Sequence, residues 1–412
     1  MQIFGCLPKC QNVHFVTDSY KDNSIKQAER SRRGQSVTFC VGGPKSKLPR
    51  DYASFMQNAE NKRQLIKLLL SEWSSCKYAQ RLHGRTLHFV DEENCWIIAS
   101  DGNLVTCRMA ADLCSDHEEA DTRIILHCIE ASKLAAESMP VIVRSPDTDL
   151  LILLLFYSSS ISQCLYLDTG TGNKRRLLDI KAIAGVLGSD LCASLPAYHA
   201  FTGSDYTSAF VRKGKVRPFG MMQKNAEVIA ALKNVGSTPT FDISYLHPLE
   251  QFVCAMFGKP RFNNVNTLRF KLFQSRYDVK DAAKCFQIPD GLDLCFIPPC
   301  RSSLEMHAKR VNYVSYMWKH AHIPYLQLPS PIGLGWTQVA DGTLNIQWTK
   351  GDLLPQQLVD ILPSDSSSVN SSVESAVFSK SDDDGEELIE DECEVDNILD
   401  IVFEDDDDDE CE

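Results

Sequence analysis

Short apolar runs alternate with amphipathic stretches over the first half of the chain. Runs rich in Val, Ile, Leu and aromatic residues predict strands at NVHFV (12–16), LHFV (87–90), CWIIAS (95–100), MPVIVRS (139–145) and CLYLD (164–168). Apolar residues at helical spacing predict helices over 61–73, 115–138, 179–187 and 190–200, the second of them capped by Ser115 or Asp116. This alternation favours an α/β fold with a mostly parallel central sheet flanked by helices.

The most apolar segment is LLILLLF, from Leu150 to Phe156. It is far shorter than the roughly 20 residues needed to cross a bilayer, so it predicts buried core. The start, MQIFGCLPKC, has no basic segment leading into an apolar stretch, and we expect neither a signal peptide nor a membrane partner.

Turn signals and composition divide the chain into three parts. We expect one α/β domain over 1–218, a mostly helical region over 219–363 that closes with a hairpin in GWTQVADGTLNIQW, and a disordered acidic tail over 364–412. The segment DTGTGNKRR resembles a phosphate-binding glycine loop, but it lacks the full pattern and a helix directly behind it. A hairpin turn between CLYLD and RRLLDI is therefore favoured.

Charge is distributed unevenly along the chain. The net charge is −13, yet the segment from Ser364 to Glu412 carries 21 acidic residues and one basic residue, Lys380. The chain before Ser364 therefore holds an excess of basic residues. A basic body suits a polyanionic partner, and the tail either competes for the same surface or is a solvated solubility tail.

The 16 cysteines are scattered and contain no C-x-x-C pair, which favours a reducing, intracellular compartment over a disulfide scaffold. Cys6, Cys10 and His14 have the spacing of half a zinc site. Because no second half with matching spacing follows, we do not expect zinc there.

Acidic residues cluster at the predicted ends of elements. Glu119 and Asp121 lie near a helix start, Asp147 and Asp149 follow an apolar strand, and Asp205 follows a helix. Any one motif alone is explained by the helix dipole. Two carboxylates at the end of a buried strand, however, repel each other and are costly to the fold unless a cation lies between them. Oxygen ligands suit Mg²⁺ or Mn²⁺, and four or five carboxylates suit two ions.

These motifs resemble those of the flap endonuclease and XPG family, in the PIN-like 5′-nuclease superfamily. HEEADTRI resembles its E-A-E segment, SPDTDLLIL its S-x-D-x-D-L-L strand end, and FTGSDYTSAFVRKGK its G-S/C-D-Y motif and the Gly- and Lys-rich segment behind it. VHFVTDSYKDNSIKQAERSRRG is similar to its V-F-D-G segment with a basic helix. The chain as a whole resembles an invertebrate group linked to mobile elements that adds a G-x-G-W…W region.

The resemblance implies a 5′-nuclease-like domain over 1–218. Two metal ions would be held by Glu119, Asp121, Asp147, Asp149 and Asp205, with Asp18 as a further ligand. The family begins with another strand that bears a metal-binding Asp, and this chain starts after that point, so we expect an N-terminally truncated domain. Basic residues would contact phosphates of DNA or RNA; they are Lys26, Arg30, Arg32, Arg33, Lys213, Lys215 and Arg217.

The sequence leaves three functions open. The first is a metal-dependent, structure-selective nuclease acting on DNA or RNA, with nuclear residence following from its substrate. The second is a nuclease-fold module, catalytically impaired, that binds nucleic acid or protein. The third is a haloacid-type phosphohydrolase, but PDTD lacks the D-x-D-x-T/V order that this reaction requires. His117 and His199 flank the acidic motifs, where a hydrogen bond is favoured over direct metal ligation.

Overall fold

The computed structural model describes residues 10–21, 24–27, 37–47, 49–134, 138–276, 294–340 and 342–351. Within these ranges the fold is mixed α/β. The predicted acidic tail and the first nine residues lie outside the described residues.

Helices form at almost every position where apolar residues recur at helical spacing. In chain order they are α1 (Tyr52–Gln57), α2 (Ala59–Trp73), α3 (Ala79–Leu82), α4 (Ala120–Leu134), α5 (Thr148–Tyr157), α6 (Ile180–Leu187), α7 (Ser189–Thr202), α8 (Val216–Gln223), α9 (Ala226–Asn234), α10 (Leu246–Met256), α11 (Val265–Arg276) and α12 (Arg301–Lys319). Residues 25–27 are also helical.

The strands are β1 (Asn12–Phe15), β2 (Thr86–Asp91), β3 (Asn94–Ser100), β4 (Val105–Met109), β5 (Val141–Arg144), β6 (Leu165–Thr169), β7 (Arg176–Asp179), β8 (Trp336–Gln338) and β9 (Leu344–Ile346). They form sheets with the orders β1-β2-β3-β4, β5-β6-β7 and β8-β9. The pairs β1–β2 and β5–β6 are parallel, and the other four pairs are antiparallel.

The described strands therefore form three mixed or antiparallel sheets and not the single, mostly parallel sheet that we expected. The physical reason lies in the connections. Short turns join β2 to β3, β3 to β4 and β6 to β7, and a short turn can return the chain only in an antiparallel direction. The hairpin expected between CLYLD and RRLLDI is confirmed as β6–β7.

The main hydrophobic core is built around α5. Leu150 to Leu155 and Tyr157 are all buried, as expected for a helix that is apolar on every face. Around it, α7, α10 and α12 contribute buried side chains such as Phe201, Phe252 and Val314. Because this cluster combines residues from both sides of position 218, the predicted domain boundary runs through it.

A second cluster packs α2 against the four-stranded sheet through Trp73, Leu87, Phe89 and Ile98. Arg123 of α4 connects this sheet to the rest of the fold. Its guanidinium is fully buried and donates to the carbonyls of Glu93 and Asn94, at 3.0 and 3.2 Å, and to that of Glu92.

The predicted C-terminal hairpin is confirmed as β8–β9. Gly342 has φ +87°, the left-handed conformation that favours glycine in a tight turn. Arg310 of α12 holds the hairpin by donating to the carbonyls of Gly335 and Gln347, at 3.3 and 2.8 Å.

Among the described helices, none is long and apolar enough to cross a membrane by itself; α6 and α7, bent by 101°, meet that criterion only as a pair.

Candidate active site

Segments far apart in the sequence line one pocket of about 380 Å³, which we call the acidic pocket. All five carboxylates singled out by the sequence motifs line it: Glu119, Asp121, Asp147, Asp149 and Asp205. Lys26, His199 and Lys215 lie in the same lining, together with Thr and Ser residues. The structure therefore brings together the acidic motifs that the sequence separates.

Glu119 and Asp121 enter the pocket from the start of α4. The helix begins at Ala120 and not behind Ser115 or Asp116, so the predicted cap is wrong. The first turn is capped by a residue distant in sequence, because the Asp18 carboxylate accepts a hydrogen bond from the Ala120 N–H at 2.9 Å. Ser115 lies five residues before the helix, and its N–H donates to the carbonyl of Glu93 at 3.0 Å.

Asp147 and Asp149 enter from the start of α5. Asp147 is the N-cap residue, and its Oδ1 accepts a hydrogen bond from the Asp149 N–H at 2.9 Å. A carboxylate at this place is favoured by the unpaired N–H groups and by the helix dipole. The pair is therefore fixed to the end of the helix that forms the centre of the core.

Asp205 lies in a tight turn behind α7. Gly203 ends this helix with φ +128°, and a Cβ there would lie 2.8 Å from the Cβ of Ala209. Ser204 and Thr207 exchange two backbone hydrogen bonds of 3.1 Å, and the Thr207 hydroxyl donates to the carbonyl of Ala200. The glycine thus lets the chain return closely enough to present Asp205 to the pocket.

Lys26 joins two of the acidic motifs. Its Nζ lies 2.6 Å from Glu119 Oε1 and 2.9 Å from Asp205 Oδ2, so these two oxygens are no farther apart than the sum of the two distances. The ammonium also lies 4.9 Å from the centre of the Tyr206 ring. Burial opposes the charge on Lys26, but its carboxylate partners outweigh burial and raise its pKa.

The pocket is unfavourable for several negative charges at once. Burial raises the pKa of Glu119 to about 7, although Lys26 acts in the opposite direction. Burial also raises the pKa of Asp121 well above its usual range, and the neighbouring carboxylates of Asp147 and Glu119 raise it further. Burial and the neighbouring Asp149 carboxylate raise the pKa of Asp147. Additional positive charge in the pocket would relieve this repulsion.

No family model, curated protein or solved structure matches the chain.

The donors fit a hard divalent cation in their chemistry, since the five candidate ligands supply carboxylate oxygens alone. The positions of these carboxylates do not yet form a complete metal site. Among the described residues, no three or more His, Cys, Asp or Glu side chains are placed so that they could hold a metal ion as they stand. Lys26 lies between two of these carboxylates, so a cation binding there would compete with its ammonium.

Asp18 is absent from the lining of the acidic pocket. Its negative charge does act on Asp121, whose pKa it helps to raise, but its direct contact is with the start of α4. In the described structure, Asp18 is therefore a helix cap beside the pocket.

The predicted nucleic-acid contacts have different outcomes. Arg30, Arg32 and Arg33 lie outside the described residues. Lys213 is partly buried, with its Nζ 4.4 Å from the centre of the Phe257 ring, and Arg217 is exposed. Lys215 is largely buried, and its ammonium lies against His199 in the lining of the acidic pocket.

Both histidines that flank the acidic motifs make hydrogen bonds. His199 Nε2 lies 2.7 Å from Asp149 Oδ1, and His117 donates to the carbonyl of Ile323. Of the three residues with the spacing of half a zinc site, Cys6 lies outside the described residues and Cys10 donates to the carbonyl of Asn12. His14 lies with Nδ1 2.7 Å from Nδ1 of His127.

Sequence reasoning missed the link between His199 and Lys215, which are 16 positions apart. One signal was available. His199 lies one helical turn before Gly203, on the helix that leads directly into the Asp205 motif, and a polar residue at such a place can face the same site.

Proposed function

We propose that this protein is a metal-dependent nuclease that hydrolyses phosphodiester bonds of DNA or RNA. The observation that supports this proposal is the convergence of Glu119, Asp121, Asp147, Asp149 and Asp205 on one pocket. They come from three motifs, each at the end of a helix. Their mutual repulsion is a cost to the fold that a divalent cation would offset.

In this proposal the five carboxylates hold two Mg²⁺ or Mn²⁺ ions, which would supply the Lewis acidity that phosphodiester hydrolysis requires. The chain's own residues prepare the site. Asp147 and Asp149 are held at the start of α5, and Gly203 allows the turn that presents Asp205. Lys26 brings a positive charge into the same pocket, where a phosphate oxygen could exchange with Glu119 as its partner.

The substrate class follows from charge and from the sequence resemblance. A basic body, with Arg217 exposed near the pocket-lining Gly214 and Lys215, suits the phosphate backbone of a nucleic acid. Binding should therefore weaken steeply as salt is raised. The resemblance to PIN-like 5′-nucleases favours a structured substrate such as a 5′-flap.

The test compares cleavage of a labelled 5′-flap and a single strand by the full chain with Mg²⁺. Asp147→Ala combined with Asp149→Ala should reduce cleavage to background. Asp179→Ala is a matched control, because Asp179 caps α6 through the Ala182 N–H but lies outside the acidic pocket. Equal cleavage by the double variant and the parent chain would exclude this pocket as the active site.

A second function is favoured by one observation, the ion pairs of Lys26 with Glu119 and Asp205. With an ammonium between two of the candidate ligands, the protein could bind nucleic acid without cutting it. In that case fluorescence anisotropy would detect salt-dependent binding of the same substrates. Neither Mg²⁺ nor Mn²⁺ would then produce cleavage.

A further inference from the structure

We propose that Lys215 is a positioning residue that acts through His199 to fix the orientation of the Asp149 carboxylate. The importance of this orientation rests on the proposed function, in which Asp149 is a metal ligand. The arrangement of the three side chains is a separate matter, and it can be measured without any nuclease activity.

The three side chains form a continuous hydrogen-bonded chain. Lys215 Nζ lies 3.2 Å from His199 Nδ1, and His199 Nε2 lies 2.7 Å from Asp149 Oδ1. His199 is 1% exposed and Lys215 is 9% exposed, so the contact between these two side chains is shielded from water. These hydrogen bonds connect three parts of the fold: the loop before α8, the last turns of α7 and the first turn of α5.

The chemistry of lysine fixes the direction of both hydrogen bonds. An ammonium has three N–H donors and no acceptor, so Nδ1 of His199 must accept from it. A neutral imidazole that accepts at Nδ1 carries its proton at Nε2, and this N–H donates to the Asp149 carboxylate. Lys215 therefore selects the one neutral tautomer of His199 that can hold Asp149.

The selected tautomer adds to the constraints on the acidic pair at the start of α5. The Asp149 N–H is already bound to Asp147, which fixes the backbone of the pair. His199 adds a second constraint, on the Asp149 side chain, because its N–H restricts rotation of the carboxylate. Without Lys215, His199 could carry its proton on Nδ1, and it would then no longer donate a hydrogen bond to Asp149.

The first measurement reads the tautomer directly, from the imidazole ¹⁵N shifts of the full chain labelled at histidine. We expect His199 to be protonated at Nε2, and Lys215→Met to allow the Nδ1-protonated form to appear. Lys213→Met is the matched control, because its ammonium lies over Phe257, and it should leave the tautomer unchanged. Finding His199 protonated at Nδ1 in the parent chain would overturn the proposal.

The second measurement is Mn²⁺ affinity, followed by titration calorimetry, beside cleavage. Removal of a residue that orients a metal ligand typically costs about 10- to 100-fold in affinity. We therefore expect Lys215→Met and His199→Phe each to weaken Mn²⁺ binding about tenfold or more. Because both act through the same contact, the double variant should bind little worse than His199→Phe alone.

His199→Gln separates positioning from packing. A glutamine amide can donate to Asp149 with its NH₂ group and accept from Lys215 with its carbonyl, so it should retain more Mn²⁺ affinity than His199→Phe. Equal loss in both variants would contradict the proposal. If the parent chain shows the expected tautomer but neither binds Mn²⁺ nor cleaves, the proposed function fails. The selection of the His199 tautomer by Lys215 would still stand.

Discussion

The Asp18 carboxylate accepts a hydrogen bond from the Ala120 N–H at 2.9 Å, across 102 positions of sequence. Helix α4 thus has its first turn capped by a segment that follows β1. The contact attaches the chain around Asp18 to the helix that bears Asp121. It also gives Asp18 a structural role beside the acidic pocket. The sequence resemblance had instead implied that Asp18 is a metal ligand.

Loss of this cap should destabilise the fold. We expect Asp18→Ala to lower the free energy of unfolding by about 1 kcal/mol, the usual cost of removing an N-cap, and Asp18→Asn to retain most of it. Urea unfolding of the full chain measures both. If Asp18→Ala abolishes Mn²⁺ binding and leaves the unfolding free energy unchanged, Asp18 is a ligand and not a cap.

Removal of Lys26 should be costly in the absence of divalent cations. Lys26→Met leaves the buried Glu119 carboxylate without its ion-pair partner, and we expect a loss of about 3 kcal/mol, partly restored by Mg²⁺. Lys21→Met is the control, because Lys21 and Asp116 form a partly exposed pair at 3.8 Å, which should contribute less than about 1 kcal/mol. Similar losses for the two variants would show that the Lys26 contacts are ordinary surface pairs.

Asp121→Asn should stabilise the metal-free protein. Burial and neighbouring carboxylates disfavour a charge on Asp121, so a neutral side chain should raise the unfolding free energy by roughly 1 kcal/mol. The same change should weaken Mg²⁺ binding. Asp112→Asn, at an exposed position, should do neither. Destabilisation by Asp121→Asn would mean that the acidic pocket tolerates its charges.

Stability should depend on pH through Glu119. Its folded pKa of about 7 lies above its ordinary value of 4.5, so the folded state binds the proton more tightly than the unfolded state. The stabilisation from protonation is present below about pH 4.5 and is lost as pH rises towards 7, with a total on the order of 3 kcal/mol. The raised pKa values of Asp121 and Asp147 act in the same direction.

Unfolding in urea with EDTA, repeated across this pH range, checks the effect. Glu119→Gln should flatten the decline in stability, because glutamine does not titrate. Parallel curves for the variant and the parent chain would assign the pH dependence to other groups.

Gly203 should be intolerant of a side chain. Gly203→Ala combines a left-handed backbone with a Cβ 2.8 Å from that of Ala209, and we expect a loss of about 1–3 kcal/mol together with reduced cleavage. Gly185→Ala, within α6 and in open space, should instead stabilise by about 0.5–1 kcal/mol. Thermal unfolding compares the two, and a neutral Gly203→Ala would show that the Asp205 turn can shift without cost.

The sequence was most informative where local pattern decides structure. The strand at 87–90, the helix ending at Trp73 and the hairpin at Gly342 all follow from apolar spacing or turn chemistry, and the structure contains them. The convergence of Asp147 with Asp205 was also predictable, because each motif places carboxylates at the end of an apolar element.

The sequence did not predict which distant segments contact each other. No local pattern shows that β1 and β5 belong to different sheets, or that Asp18 caps α4, since both depend on how distant segments pack. The surroundings of Lys215 were not predictable either. It was expected to contact phosphates with its basic neighbours, and no local pattern shows that packing turns its ammonium towards His199.

Helix α5 has no side open to solvent over most of its length, and this restricts how the protein could change over time. The Asp147 and Asp149 pair is anchored to a part that tolerates little alteration, while Asp205 sits on a turn with its side chain 45% exposed. Over evolutionary time, substitutions should therefore be tolerated better around Asp205 than around Asp147 and Asp149.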